Sequence, residues 1–419
     1  MKKEANTPLT LASRQTSIAS EIQKNPEAID LSSCKSTFIP LSRFAVIANR
    51  YIYSIINLTL LTVILCIIVC CKRDKDSYYF NGKIQYFNDS KTVKKTINSK
   101  SVSLDGVPTG IIAVYDSLLL CCSPKYIDCY YGINNLDTGE EIGFFCKKGQ
   151  GPQDANSVNP IYQFFKKEND ICTYLRSNSD NKLFLWNISK SVERGITVYD
   201  TIISYKKNRY RFLFYQSDDI LYVNVPSDFL SRNEISTPFY EKRTISTQEI
   251  IRNFPIYKQK SMQSSDVTGL DLAFYTWDVI KPDGTKIAQA MRIFPQINII
   301  DTHTGDIIGY RLNKTPDFSL FEQELDIKSM DQYFLNIHAD DNYIYASYWG
   351  KEPWSGRVSS GFPFVNIIHV FDWSGNHIYE LITDRSFFHI WLDHVRNRLY
   401  TIDMNTDEVY YLDLNELYL

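Results

Sequence analysis

The sequence carries no excess of either charge. Its 45 Lys and Arg stand against 48 Asp and Glu, with no basic run or stripe. Nucleic-acid binding needs clustered cations on the phosphates, so that partner class is excluded. Cysteine is absent after Cys172. None of the nine (Cys34, Cys66, Cys70, Cys71, Cys121, Cys122, Cys129, Cys146 and Cys172) is spaced as Cys-x-x-Cys or sits with His in a zinc-ligand pattern. They read as small buried apolar residues and as residues of a membrane segment. A disulfide within the Cys121–Cys172 group is left open, because pairing is not legible from spacing. The six histidines, His303, His338, His369, His377, His389 and His394, contain no His-x-x-x-His pair. No metal and no cofactor is therefore expected. A Gly-x-Ser-x-Gly elbow and repeats of the Ser-x-Asp-x-Gly-x-x-Trp type are also missing. Asp218-Asp219 and Asp340-Asp341 are adjacent in turns, and neighbouring strand residues face opposite ways, so they make poor acid–base pairs. No catalytic residue is assigned.

What the chain does contain begins with an unusual N-terminal region. Residues 1–50 read as disordered or as a mis-assigned extension, since the first forty are polar and without period. No Met lies between Met1 and Met262, so a later start would need another codon, for example at Leu41. Residues 51–71 are long and apolar enough to span a bilayer. Arg43 and Arg50 precede them and Lys72-Arg73 follow, so charge does not orient the segment. The run ends Ile68-Val69-Cys70-Cys71, which resembles a bacterial lipobox with Cys71 as the lipid-bearing residue. Cys70 stands where a small residue is usual. A cleaved lipoprotein signal is expected, with an uncleaved signal anchor as the alternative. Either places the following domain at the cell envelope, on the outer membrane or facing the periplasm. Residues 72–77 read as a tether and residues 78–419 as the folded domain.

That domain is built from repeated short strands. The stretch Asn366–Leu414 shows the unit: Ile367–Phe371, Ile378–Ile382, Phe388–Leu392, Leu399–Ile402 and Val409–Leu414 are apolar, β-branched and aromatic, with polar turns between. A polar pair leading into a strand recurs at Asp116-Ser117, Asn169-Asp170, Asp218-Asp219, Asp341-Asn342 and Asn397-Arg398, at intervals of about 50 residues. A weaker copy at Asp271 fills the one double gap. A second signal is a Gly three residues before an apolar one, at Gly139, Gly305 and Gly375 and more loosely at Gly284. It marks a turn between outer strands. Six such units predict an all-β, six-bladed β-propeller, closed because an open one would leave unpaired edges. Tyr78–Ile97 is expected to add a strand to the last unit.

With Gly149-Gln150-Gly151-Pro152 after a strand, the Ile344–Trp349 strand and the Val370–Asn376 turn, residues 78–419 resemble the TolB-like six-bladed propeller lipoproteins of Gram-negative gut anaerobes. That resemblance implies a membrane-tethered propeller and no reaction; partner binding by TolB itself is a likeness of fold only. Gly149, Gly151 and Pro152 lack the Gly-Lys-Ser/Thr of a phosphate loop and read as a structural turn. The binding candidates are Trp349, Trp354 and Arg357, in a long insertion rich in hot-spot residue types, and His338 beside a unit's strand. The expectation is a monomeric binding or scaffold module for an envelope protein or a glycan. A hydrolase or lyase with its site in the central channel is the alternative.

Overall fold

The computed structural model describes residues 55–61, 79–87, 89–106, 108–177, 179–205, 210–226, 238–258, 274–312, 331–351, 365–403 and 406–417. The chain divides into two compact units, 1–72 and 73–419. In the first, residues 55–61 are helical, and no helix among the described residues is long and apolar enough to cross a membrane. Cys71, the tether, Trp354 and Arg357 lie outside the described residues.

The second unit is a β-propeller. Three short strands come first: β1 (Lys83–Tyr86), β2 (Val93–Ile97) and β3 (Ser99–Ser101). Three antiparallel four-stranded sheets follow. They are β4 (Ile111–Tyr115) to β7 (Glu141–Lys147), β8 (Phe165–Lys167) to β11 (Tyr199–Ser204), and β12 (Leu213–Ser217) to β15 (Ile250–Pro255). Within them β5 is Leu118–Cys122, β6 Cys129–Asn135, β9 Asp170–Ser177, β10 Lys182–Asn187, β13 Ile220–Val225 and β14 Phe239–Thr244. The next sheet holds β16 (Thr276–Ile280), β17 (Lys286–Met291), β18 (Gln296–Asp301) and β19 (Ile307–Arg311), with β1 added in parallel to β19. The last sheet runs β20 (Gln332–Ala339), β21 (Tyr343–Lys351), β22 (Val365–Asp372), β23 (His377–Asp393), β24 (Arg398–Asp403), β25 (Val409–Asp413) and β3, with β2 beside β23.

The described strands thus form five sheets, not the six separate ones expected. The cause is β23, whose 17 residues pair first with β22 and then with β24 and so fuse two units. The sequence break at Thr383–Ser386 does not interrupt it. Thr383 Oγ1 donates to the Arg385 carbonyl (2.6 Å), and the Asp384 carboxylate accepts from Ser99 N–H and Oγ. Polar groups that would otherwise turn the chain are satisfied in the extended form.

Each sheet buries both faces against its neighbours. In β18, Ile297 and Ile299 pack with Tyr333, Phe334 and Ile337 of the following sheet. Ile300 points the other way, toward Phe214 and Tyr240 of the preceding one. Each such fully buried side chain contributes about 1.5–3 kcal/mol. Hydrogen bonds link the sheets around the ring. Tyr131 Oη donates to the Asn159 carbonyl, Gln163 spans both backbone groups of Tyr215, and Tyr240 Oη donates to Asp278. Arg292 Nε then donates to Gln332 Oε1, and Trp391 Nε1 closes the circle on the Val114 carbonyl at 2.7 Å.

The N-terminal strands correct another expectation. They do not serve only the last sheet. Phe80 bridges to Tyr257 beyond β15, β1 edges β19, β2 edges β23 beside β22, and β3 edges β25. The segment is a strap over successive outer edges, and Lys94 on it pairs with Glu380 at 2.9 Å. The polar pairs all fall in hairpins between a first and second strand of a repeat. Asp271 lies outside the described residues, and in the fourth sheet the corresponding β16–β17 hairpin carries Asp283-Gly284. Gly139, Gly305 and Gly375 lie in the hairpins β6–β7, β18–β19 and β22–β23 with φ of 82°, 82° and 83°. Gly375 also lies against the Tyr310 ring, where a Cβ would collide.

Candidate binding cavity

The inner strands end together at one cavity of 320 Å³. It is lined from β4 by Val114 and Tyr115, and from the segment entering β8 by Tyr162, Gln163 and Phe164. Phe165, Tyr215, Gln216, Val279 and Ile280 continue the wall from β8, β12 and β16. The fused sheet contributes twice, through His338 and Ala339 of β20 and through Trp391 to Val395 at the end of β23.

Six aromatic rings stand in the wall: Tyr115, Tyr162, Phe164, Phe165, Tyr215 and Trp391. Phe165 and Tyr215 stack with centroids 3.9 Å apart. Tyr115 meets Phe164 edge-on at 5.6 Å, and Phe164 meets Trp391 the same way at 5.4 Å. Gln163 is fixed by donating to the Tyr215 carbonyl and accepting from its N–H. The rings are therefore held by their neighbours and by strand ends, which leaves a largely preformed site.

The polar side chains are Gln163, Lys166, Gln216, His338, Asp393 and His394. His338 packs on Trp391 at 4.5 Å, its Nδ1 accepts from Ala339 N–H, and its Nε2 is buried without a hydrogen-bond partner. Burial, and the neighbouring imidazoles of His394 and His389, hold its pKa well below the usual value. Burial also depresses His394, against the nearby Asp340, Asp393 and Asp341. Asp393 is raised by burial; its Oδ1 accepts from the Val395 and Asp116 N–H groups, and Arg396 Nε lies 3.8 Å from Oδ2. No group of three or more His, Cys, Asp or Glu among the described residues could hold a metal ion.

Of the described residues singled out as binding candidates, Trp349 and His338, only His338 reaches this cavity. Trp349 does not: at 6 % exposure it packs in the core with Leu335, Tyr345 and Val365, so its role as an open binding platform is replaced by a core one. Gly149, Gly151 and Pro152 form a turn closed by Asp154, whose Oδ2 accepts from Gly151 N–H at 3.1 Å, while Lys182 Nζ caps the Gly151 carbonyl at 3.3 Å. A Cβ on Gly149 or Gly151 would meet that carboxylate at 2.6 Å. Cys121, Cys122, Cys129, Cys146 and Cys172 are free thiols. Burial pushes Cys121 up to about 12 and Cys122 up to about 11, which makes them unreactive.

Tyr115, Phe165, Tyr215, Trp391 and His394 were missed. A signal existed: cavity residues sit one to four places before the polar hairpin pairs, at Tyr115 before Asp116, Phe165 before Asn169, Tyr215 before Asp218 and His338 before Asp341.

No family model matches the chain, and no curated protein matches it. Among solved structures it is similar to a putative exported protein from Bacteroides fragilis NCTC 9343. The identity is 12 % and the TM-score 0.48, over 79 % of this chain and 99 % of that one. It is also similar to a member of the DUF4221 family from Bacteroides vulgatus ATCC 8482, with 11 % identity and a TM-score of 0.47 over 80 % of this chain and 96 % of that one. A third is the β-propeller domain of Myceliophteria thermophila Cps50 (Swd1), with 10 % identity and a TM-score of 0.39 over 75 % of this chain and 99 % of that one. These are distant likenesses.

Proposed function

We propose that the protein is a non-catalytic, extracytoplasmic binding module whose channel mouth takes one end of a glycan. The observation that carries this reading is the cavity: stacked and edge-on rings from four of the five described sheets stand beside fixed polar groups, and the β16–β19 sheet adds Val279 and Ile280. Such a wall suits a ligand with apolar faces and hydroxyl edges. His338 Nε2, buried and unpartnered, supplies one hydrogen-bond position that a sugar hydroxyl would fill. The test is a titration of Trp391 fluorescence with xylo-, manno- and gluco-oligosaccharides. Saturable quenching is expected from one class, weakened at least tenfold in a Phe165→Ala, Tyr215→Ala variant that remains folded. No saturation with any class at millimolar concentrations would remove the glycan reading and return an envelope-protein segment as the occupant.

Three finer points belong to the same reading. The eight-stranded sheet counts as two blades sharing β23, giving a six-bladed ring of the TolB-like kind; the double contribution of that sheet to the cavity supports this. The domain is held at the cell envelope through an acylated Cys71, which a palmitate label lost in Cys71→Ser would test. The domain works as a monomer, since the strap already covers the outer edges of the later sheets. One observation favours the enzyme alternative: His338, His394 and Asp393 share the cavity. Hydrolysis or elimination products appearing from a bound oligosaccharide, and disappearing in His338→Gln, would establish it.

A further inference from the structure

Several residues along the inner strands from the His338 mouth, three guanidiniums gather. Arg176 lies near the end of β9, Arg211 just before β12 and Arg292 just after β17. Arg176 Nη2 donates to the Arg211 carbonyl at 3.4 Å, and Arg292 Nε to Gln332 Oε1 at 2.8 Å. The Tyr275 ring joins them. The Arg211 guanidinium carbon is 3.2 Å from its centroid and that of Arg292 is 5.5 Å away. Arg211 and the mouth residue Tyr215 are four strand positions apart, about 13 Å.

Arg176 and Arg211 keep free donors. Arg176 is only 5 % exposed, and its Nε and Nη1, with Nη2 of Arg211, are buried without hydrogen-bond partners. Neither arginine forms an ion pair with a described carboxylate. The nearby Asp278 lies in the field of Arg211 but is pushed toward its neutral form by burial; its Oδ2 is shared by Tyr240, Asn224 and Gln289, and its Oδ1 has no hydrogen-bond partner among the described residues. A buried guanidinium with free donors is costly unless an anion meets it. Arginine offers its N–H groups as a planar fork that matches two oxygens of one carboxylate or phosphate.

We propose that this cluster is an oxyanion-binding site, in which Arg176 and Arg211 hold a carboxylate or phosphate group of a small ligand and Arg292 adds to the positive field. Tyr162, a cavity residue electrostatically coupled to both Arg176 and Arg211, connects the site to the mouth. The site stands apart from the glycan reading and does not depend on it.

The test uses the full chain in mild detergent and low-chloride buffer, titrated separately with inorganic phosphate and with citrate at matched ionic strength. Thermal unfolding and calorimetry are followed. A saturable rise in melting temperature is expected with at least one anion, and Arg176→Gln and Arg211→Gln should each weaken it at least tenfold. A response to phosphate alone supports a phosphate ligand, and one to citrate alone a carboxylate ligand. In anion-free buffer Arg176→Gln should be no less stable than the parent, because it removes a buried charge that no described carboxylate pairs with. Should that variant fail to fold, the half-buried Arg211→Gln carries the test. No saturable response to either anion, or a response unchanged in the variants, overturns the proposal. An oligosaccharide titration of Arg211→Gln that matches the parent would show that the two sites fail or succeed separately.

Discussion

His389 makes stability fall in acid, and its size can be worked out. The residue lies in β23, two positions before Trp391, with its Nδ1 buried and without a hydrogen-bond partner. Burial lowers its pKa from 6.5 to about 4. The unfolded chain therefore takes up the proton near 6.5 and the folded protein only near 4. The stability is fully present above 6.5 and is lost as pH falls through that window. Between pH 7 and pH 5 this ring alone removes about 2 kcal/mol. That is a large share of the 5–15 kcal/mol typical of a folded domain. His338, His369 and His394 act in the same direction, and Asp278 and Asp393, raised by burial, in the opposite one. The difference from a His389→Phe variant isolates the one ring. Urea unfolding of both proteins at pH 7, 6 and 5 should show the variant losing about 2 kcal/mol less across the range, with equal m-values. Curves that stay parallel to within about 0.5 kcal/mol would refute the reasoning, because an imidazole that titrates normally when folded contributes nothing to the slope.

Three other outcomes are expected. Gly375→Ala should destabilise by about 1–2 kcal/mol from its positive φ alone, and by more because the new Cβ meets the Tyr310 ring; a shift of melting temperature below 2 °C would contradict this. Trp391→Phe should cost about 1–2 kcal/mol in urea unfolding, since it removes the donor to the Val114 carbonyl that joins the last strands to the first sheet. Asp278→Asn should raise stability at pH 7, with the gain shrinking as pH falls toward 4, because the native site disfavours the charged carboxyl that the unfolded chain carries freely.

The fold was legible where the physics is local. The short apolar strand runs, the polar hairpin pairs and the glycines at positive φ are all set by a residue and its near neighbours. Local reading failed where long-range contacts decide. Thr383–Ser386 has the composition of a turn, yet Ser99, nearly 300 residues away, helps hold Asp384 in an extended strand. Val93–Ile97 reads as an edge strand for any sheet, and nothing within it names β23. Trp349 reads alike as a platform or as core until Leu335 and Val365 are brought around it. The cavity is assembled from residues at the ends of separate strands, so only His338 stood out. Arg176 and Arg211 lie 35 positions apart and meet only because their sheets are neighbours.

The strap gives the domain a direction of mechanical weakness. Force on the chain from its N-terminal side meets the Phe80 bridge first, then β1, β2 and β3 in order, with four, five and three residues respectively in the strands. Each is short and lies on a different strand of the body. The load is therefore met piece by piece, and peeling one piece leaves the next still engaged. A sustained pull would lengthen the leader by unzipping the strap before it reaches Trp391 and the closure of the ring. Under such a pull the strap would act as a mechanical fuse ahead of the cavity at the channel mouth.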